Sequence, residues 1–242
     1  MTHLRSRAAL NRALFDLGPL DSAALAVRGW ILHRFDAPGR YRVAVRRNGL
    51  TRGSISVDVN DAHPARQIDI DLSRWDDDGA TGDRSGERAR QLAPNGMMIF
   101  QPTRGFATYS VRVDRADVDR PEVVFDSRQG LPAGDLFGAI LALPGTYRIV
   151  VNDAPLAIVH VRTPDPADSP RTGRPFLLHT GETPPRLPVR HVEIGSTVVV
   201  FLEAGGQVLV QTLSATSRPK PPANPRMPEI DQPNLRPDRS RT

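Results

Sequence analysis

Six histidines and one acidic run are the residues of this 242-residue chain whose types could do chemistry. His3, His33, His63 and His160 stand apart from one another. His179-Thr-Gly-Glu182 and His191-Val-Glu193 each place a carboxylate within three residues of an imidazole. Two imidazoles and a carboxylate brought together by neighbouring strands would hold zinc or another divalent ion and leave one position open. His179, Glu182, His191 and Glu193 are therefore the candidate metal ligands, weighed against the plainer reading of solvated histidines at loop ends. Asp76-Asp77-Asp78-Gly79 has the composition of a calcium loop but not its register. With Gly79 at the sixth position, Arg74 and Ser85 would stand first and twelfth, where carboxylates are needed. Neither a phosphate-cradling glycine loop nor a G-x-S-x-G nucleophile elbow is present.

The chain has no cysteine, which removes disulfides, iron–sulfur clusters, thiolate zinc sites, blue copper and thiol nucleophiles together. No cofactor is expected, and the residues point away from an enzyme.

The remaining candidate is a binding surface. In Arg40-Tyr-Arg-Val-Ala-Val-Arg46 the period is two, so Tyr41, Val43 and Val45 share one face and Arg40, Arg42 and Arg46 the other, with Arg47 next along. Nucleic-acid platforms on sheets add exposed aromatics to such a row. Here Tyr41 falls on the opposite face. The net charge of +5 is held by the ends: residues 1–16 carry +2, residues 214–242 carry +3, and the body between is neutral. Any nucleic-acid affinity is thus expected to be weak, salt-sensitive and sequence-blind. Lys220 is the only lysine, so nearly all the positive charge is guanidinium, the better group for forked contacts to phosphate and carboxylate.

The elements that must position these residues are mostly strands. With 23 prolines and 19 glycines, a helix-dominated chain is excluded, since an internal proline costs a helix about 3 kcal/mol. One helix is expected, over residues 6–17, where Leu10, Leu14 and Leu17 form a stripe between a Ser6 cap and the stop at Gly18-Pro19. From residue 24 the pattern alternates, through 40–46, 54–59 and 68–72, with Asn48-Gly49 as a hairpin turn. Residues 75–94 read as a long surface loop. Strands resume at 97–100, 106–113 and 122–125. The later strands 147–151, 156–161, 197–202 and 208–213 are apolar on both faces, as central strands are. The expected fold is all-β, an antiparallel β-sandwich or jelly-roll-like body with a short N-terminal helix and a disordered, proline-rich C-terminal tail. Its expected divisions are a helical arm (1–17), two β-rich units (18–118 and 119–213) and an extended tail (214–242), where seven prolines leave too little apolar surface to order the chain.

Two segments echo each other 106 residues apart, Phe35-Asp-Ala-Pro-Gly-Arg-Tyr41 and Leu141-Ala-Leu-Pro-Gly-Thr-Tyr147. The pattern resembles the F-x-x-P-G-x-Y turn into a late strand of cupredoxin-like modules, and is similar to Pro-Gly turns of immunoglobulin-like modules. The resemblance implies a sandwich architecture only. Cupredoxin copper needs a cysteine, so no copper ligand carries over.

Residues 1–20 hold no apolar core of signal-peptide kind, and the stretch 136–151 is broken by Pro144, Gly145 and Arg148. No membrane span is expected, and the expected location is the cytoplasm or an intracellular assembly. The expected function is that of a non-catalytic structural or interaction protein, a subunit of a homo- or hetero-oligomeric assembly of other protein subunits. Two alternatives remain open: a viral or phage particle protein with basic arms, and a metal-dependent enzyme using the His179 and His191 region.

Overall fold

A computed structural model describes residues 18–75, 89–118, 120, 122–163, 175–181 and 187–215. The alternating pattern becomes structure in strand β3 (Gly39–Arg47), where Tyr41, Val43 and Val45 are buried while Arg40 and Arg42 are exposed. It folds back as β4 (Leu50–Val59) through Asn48 and Gly49, whose positive φ angles of 49° and 83° suit a tight hairpin. The chain begins with β1 (Leu20–Asp21) and β2 (Gly29–Phe35), and after the hairpin come β5 (Gln67–Asp71), β6 (Arg90–Leu92), β7 (Gly96–Gln101) and β8 (Tyr109–Arg115). Then β9 (Glu122–Asp126) leads to β10 (Leu136–Leu141), β11 (Gly145–Val151), β12 (Ala154–Arg162), β13 (Phe176–His179), β14 (Val189–Glu193), β15 (Ser196–Phe201) and β16 (Val208–Ala215).

The second run repeats the first strand for strand. β10 to β16 pair among themselves as β2 to β8 do, down to the two parallel neighbours in each half: β4 with β6 and β5 with β7, then β12 with β14 and β13 with β15. Hydrogen bonds repeat as well. The Tyr41 hydroxyl donates to the Ala37 carbonyl at 2.7 Å, and the Tyr147 hydroxyl to that of Leu143 at 2.8 Å. Ser22 Oγ accepts from the Val208 amide, and Ser127 Oγ from the Val111 amide, both at 3.0 Å. These two serines show an exchange of arms, since β1 precedes the first half but pairs with β16, while β9 precedes the second but pairs with β8. The two Pro-Gly-Tyr echoes are thus the same corner of two equivalent halves.

Three sheets result: β1-β16-β11-β12-β14, β6-β4-β3-β8-β9, and a six-stranded sheet β13-β15-β10-β2-β7-β5 that runs through both halves. The halves join where β2 pairs antiparallel with β10, Ile31 opposite Phe137, which are each other's equivalents. A pseudo-two-fold axis therefore passes through that pair, perpendicular to the sheet. Because opposite residues of an antiparallel pair face the same side, Ile31, Phe35, Phe137 and Leu141 all point to one face, and all are buried. Both five-stranded sheets lie over that face and close one continuous core with it.

This corrects the expected architecture. The body is not a two-sheet antiparallel sandwich or jelly roll. In each half the chain passes back and forth between two sheets, β4 to β5 to β6 to β7, and lays each new strand parallel to the one before last, a solenoid-like stacking. Alternation of side chains reports which face is wet, not whether a neighbour runs parallel, so the sequence pattern could not separate the two. The only helical element among the described residues is a single 3-10 turn, Leu72–Trp75. The expected N-terminal helix over 6–17 lies outside the described residues, as does the tail beyond Ala215. β16 runs two residues past the expected start of that tail, and β6 forms within the expected 75–94 loop.

Candidate interaction surface

The face of the six-stranded sheet turned away from the core has an unusual make-up. One cross-strand row, read from partner to partner, is His179, Phe201, Leu136, Leu32, Ile99 and Asp69. The row beside it contains Leu177, Val199, Gly138 and Trp30. Trp30 lies over Gly138, where a Cβ would meet the indole, so glycine there lets the ring lie down on the sheet. Met97 and Ile140 extend the apolar area. Trp30, Leu32, Met97, Ile99, Leu136, Ile140, Val199 and Phe201 are half-buried, Asp69 is exposed, and Leu177 is 51% exposed. The outer face of the β6-β4-β3-β8-β9 sheet is polar, carrying Arg40, Arg42, Ser56, Asp58 and Asp114; that of the β1-β16-β11-β12-β14 sheet is mixed, with Arg148, His160 and Arg162 beside Ile158, Val189 and Leu209.

A second feature lies on the core side. His33 and Asp135 are both buried, and Nδ1 of the imidazole sits 2.9 and 3.1 Å from the two carboxylate oxygens. Burial pushes the Asp135 carboxyl above the usual carboxylate range, against the opposing pull of the His33 hydrogen bond and charge. Phe35 and Phe125 pack on the imidazole at ring-centre distances of 4.8 and 4.4 Å, and Nε2 has no hydrogen-bond partner. The pair lines a cavity of about 320 Å³ with Phe35, Tyr41, Arg115 and Glu122. Among the described residues no serine or threonine hydroxyl borders it, and the Tyr41 hydroxyl is committed to the Ala37 carbonyl. The pseudo-two-fold axis turns His33 into Ala139 and Asp135 into Gly29, so the other half has the same fold without the pair.

The sequence-derived candidates fall as follows. His179 is on the six-stranded sheet and has Nδ1 3.4 Å from Glu203 Oε1; His191 is on β14 in a different sheet, its ring 5.1 Å from that of His160. Glu193 ends β14 opposite Arg162, and Glu182 lies outside the described residues. Among the described residues no three metal-ligating side chains converge. The arginine row is laid out as expected but stands among acids. Arg40 is opposite Asp58, Arg42 opposite Asp114, and Arg46 donates to Asp126 at 2.7 Å, while Arg47 closes the strand half-buried.

No protein-family model matches the chain, and no curated protein or solved structure does either. The chain is β-rich, and nothing in these comparisons links it to cupredoxins or immunoglobulins. No described helix is long and apolar enough to cross a membrane. The outer face was within reach of the sequence, because Met97-Met-Ile-Phe100 and Val198-Val-Val-Phe201 are apolar at consecutive positions. The missing information was that only one of the two faces is covered by other described strands.

Proposed function

We propose that this chain is a non-catalytic structural or interaction protein that works as a subunit of a larger assembly, joined to it through the outer face of the six-stranded sheet. The observation that supports this reading is the contrast between the outer face of the six-stranded sheet and that of the arginine-bearing sheet. An antiparallel sheet with one face on the core alternates apolar and polar residues, as the arginine-bearing sheet does. The six-stranded sheet instead presents Trp30, Leu32, Met97, Ile99, Leu136, Ile140, Val199 and Phe201 on the side away from the core. A contiguous apolar patch of several hundred Å² on a soluble domain marks an interaction site.

Light scattering on the full chain, purified and in native extract, tests the reading against Ile99→Lys and Val199→Lys, one variant in each half. The wild type should run with the mass of a complex. Each variant should drop to a smaller mass, with a far-ultraviolet circular dichroism spectrum like the parent's. Equal masses for all three proteins in both settings would overturn it.

A further inference from the structure

Resting on the reading of the outer face as a docking surface, we infer that its occupant is a second copy of this chain, packed face to face about a two-fold axis parallel to the strands. Area is the first argument. Six strands about 4.8 Å apart and about 3.4 Å per residue over six residues give a face of about 30 by 20 Å. Two such faces bury about 1,200 Å² in total, the lower bound of a specific, stable interface. Flatness is the second: facing sheets pack about 10 Å apart with strands roughly 30° from parallel, and Trp30 lying over Gly138 keeps the middle of the face low.

Charge complementarity selects the orientation. The row His179, Phe201, Leu136, Leu32, Ile99, Asp69 crosses the whole sheet, with a histidine at one end and an exposed acid at the other. A two-fold axis along the strands lays this row on its own copy read backwards. Asp69 then meets His179 of the second copy at both ends, Ile99 meets Phe201, and Leu32 meets Leu136. An axis across the strands would instead set Asp69 against Asp71 of the copy, acid on acid. With Nδ1 beside Glu203 of its own chain at 3.4 Å, His179 has Nε2 left to donate to the Asp69 carboxylate of the copy. Because the chain is internally duplicated, both halves of the face contribute alike, and the four-layer dimer covers the apolar patch without a second kind of subunit.

The dissociation constant of the purified full chain, measured by sedimentation, reads the contact directly. Asp69→Lys should weaken the dimer by about tenfold, since it places two cations against histidines. Adding His179→Asp to it should restore affinity to within about threefold of the wild type. Cross-linking gives a second measurement, which the absence of cysteine makes clean. In Asp69→Cys/His179→Cys the two thiols of one chain lie about five strand spacings apart, about 24 Å. A bismaleimide reaching about 10 Å, the face-to-face sheet spacing, should therefore join 69 to 179 only between chains. A wild-type monomer at the highest soluble concentration, 69-to-69 cross-links alone, or no rescue by the charge swap would each overturn the inference. A monomer that nonetheless holds a stoichiometric companion lost in Ile99→Lys refutes the second copy and leaves the assembly reading standing. Indifference to Ile99→Lys in every setting removes both.

Discussion

His33→Ala takes from Asp135 the side chain hydrogen-bonded to it and leaves a carboxyl that is 2% exposed in the seam between the halves. Breaking a buried pair from one side costs about 3–5 kcal/mol, because the remaining charge is neither solvated nor paired. Asp135→Ala is milder. It leaves a neutral imidazole with Nδ1 unsatisfied, about 1–3 kcal/mol. If the two losses were independent they would add to about 4–8 kcal/mol, enough to unfold a typical domain. The double variant reproduces, in small side chains, what the second half already does with Ala139 and Gly29. No buried carboxyl and no imidazole remain in it, only a long 3.4 Å hydrogen bond lost by the Arg34 amide and the space left between Phe35 and Phe125, worth about 2–4 kcal/mol for a side chain of this size. The coupling should therefore be at least about 2 kcal/mol in a double-mutant cycle. Urea unfolding followed by the fluorescence of Trp30 and Trp75 reads it as shifts in midpoint at constant slope. The folded-state pKa of Asp135 is raised, so folding favours its protonated form, and stability is lost as pH rises through that value. Without His33 the carboxyl is pushed further up. The His33→Ala penalty should shrink as pH is lowered from 8 towards the ordinary carboxylate range. Additive single-variant costs at pH 8, or a His33→Ala penalty indifferent to pH, would refute the reasoning.

The duplication makes its own prediction. Ser22→Ala and Ser127→Ala each orphan one buried amide, of Val208 and Val111 respectively, and should lower stability equally by about 1–3 kcal/mol in the same urea assay. Unequal losses would mean that the halves are not energetically equivalent. A circular permutant that joins Ala215 to Gly18 through about six residues, the number separating β8 from β9, and opens the chain at residues 119–121 should keep the parent's circular dichroism and cooperative unfolding. A molten or insoluble product would count against the exchanged arms being equivalent. For nucleic acid, filter binding at increasing salt should show any affinity vanish when residues 1–16 and 216–242 are removed. Binding that survives at physiological salt would move the site to the Arg40 to Arg47 strand despite its acidic neighbours.

Much of the strand content was legible because β2, β3 and β4 obey a period of two, because β11 is an apolar run, and because Asn48-Gly49 and the two Pro-Gly corners favour turns. The duplication was legible at a single place, the corner ending in Tyr41 and Tyr147. Its spacing drifts along the chain, from 106 residues at that corner to 97 at Val111 and Val208, because the loops differ in length. A fixed-period comparison therefore loses it within two strands. The sheet pairings were illegible for another reason. β6 has three residues and β14 has five, and each is placed by a parallel neighbour far away in sequence. Of the two sites, His33 and Asp135 lie 102 residues apart, and no local spacing could have joined them.

Symmetry sets what a duplicated chain must specialise. Two equivalent halves that meet through β2 and β10 bury one face of the shared sheet under both five-stranded sheets, and by the same operation they leave the opposite face without a described strand over it in both halves at once. A polar residue on that face would be tolerated anywhere along the row, as Arg34 is at its margin. Its centre instead holds Leu32 opposite Leu136, and Trp30 over Gly138, the positions nearest the pseudo-two-fold axis. Folding of the single chain does not call for apolar residues there, since those side chains contribute nothing to the core on the other side. What they have in common is a flat, uncharged centre flanked by Asp69 at one edge and His179 at the other. That is the arrangement in which hydrophobic area supplies the affinity of a contact and the charged ends fix its direction.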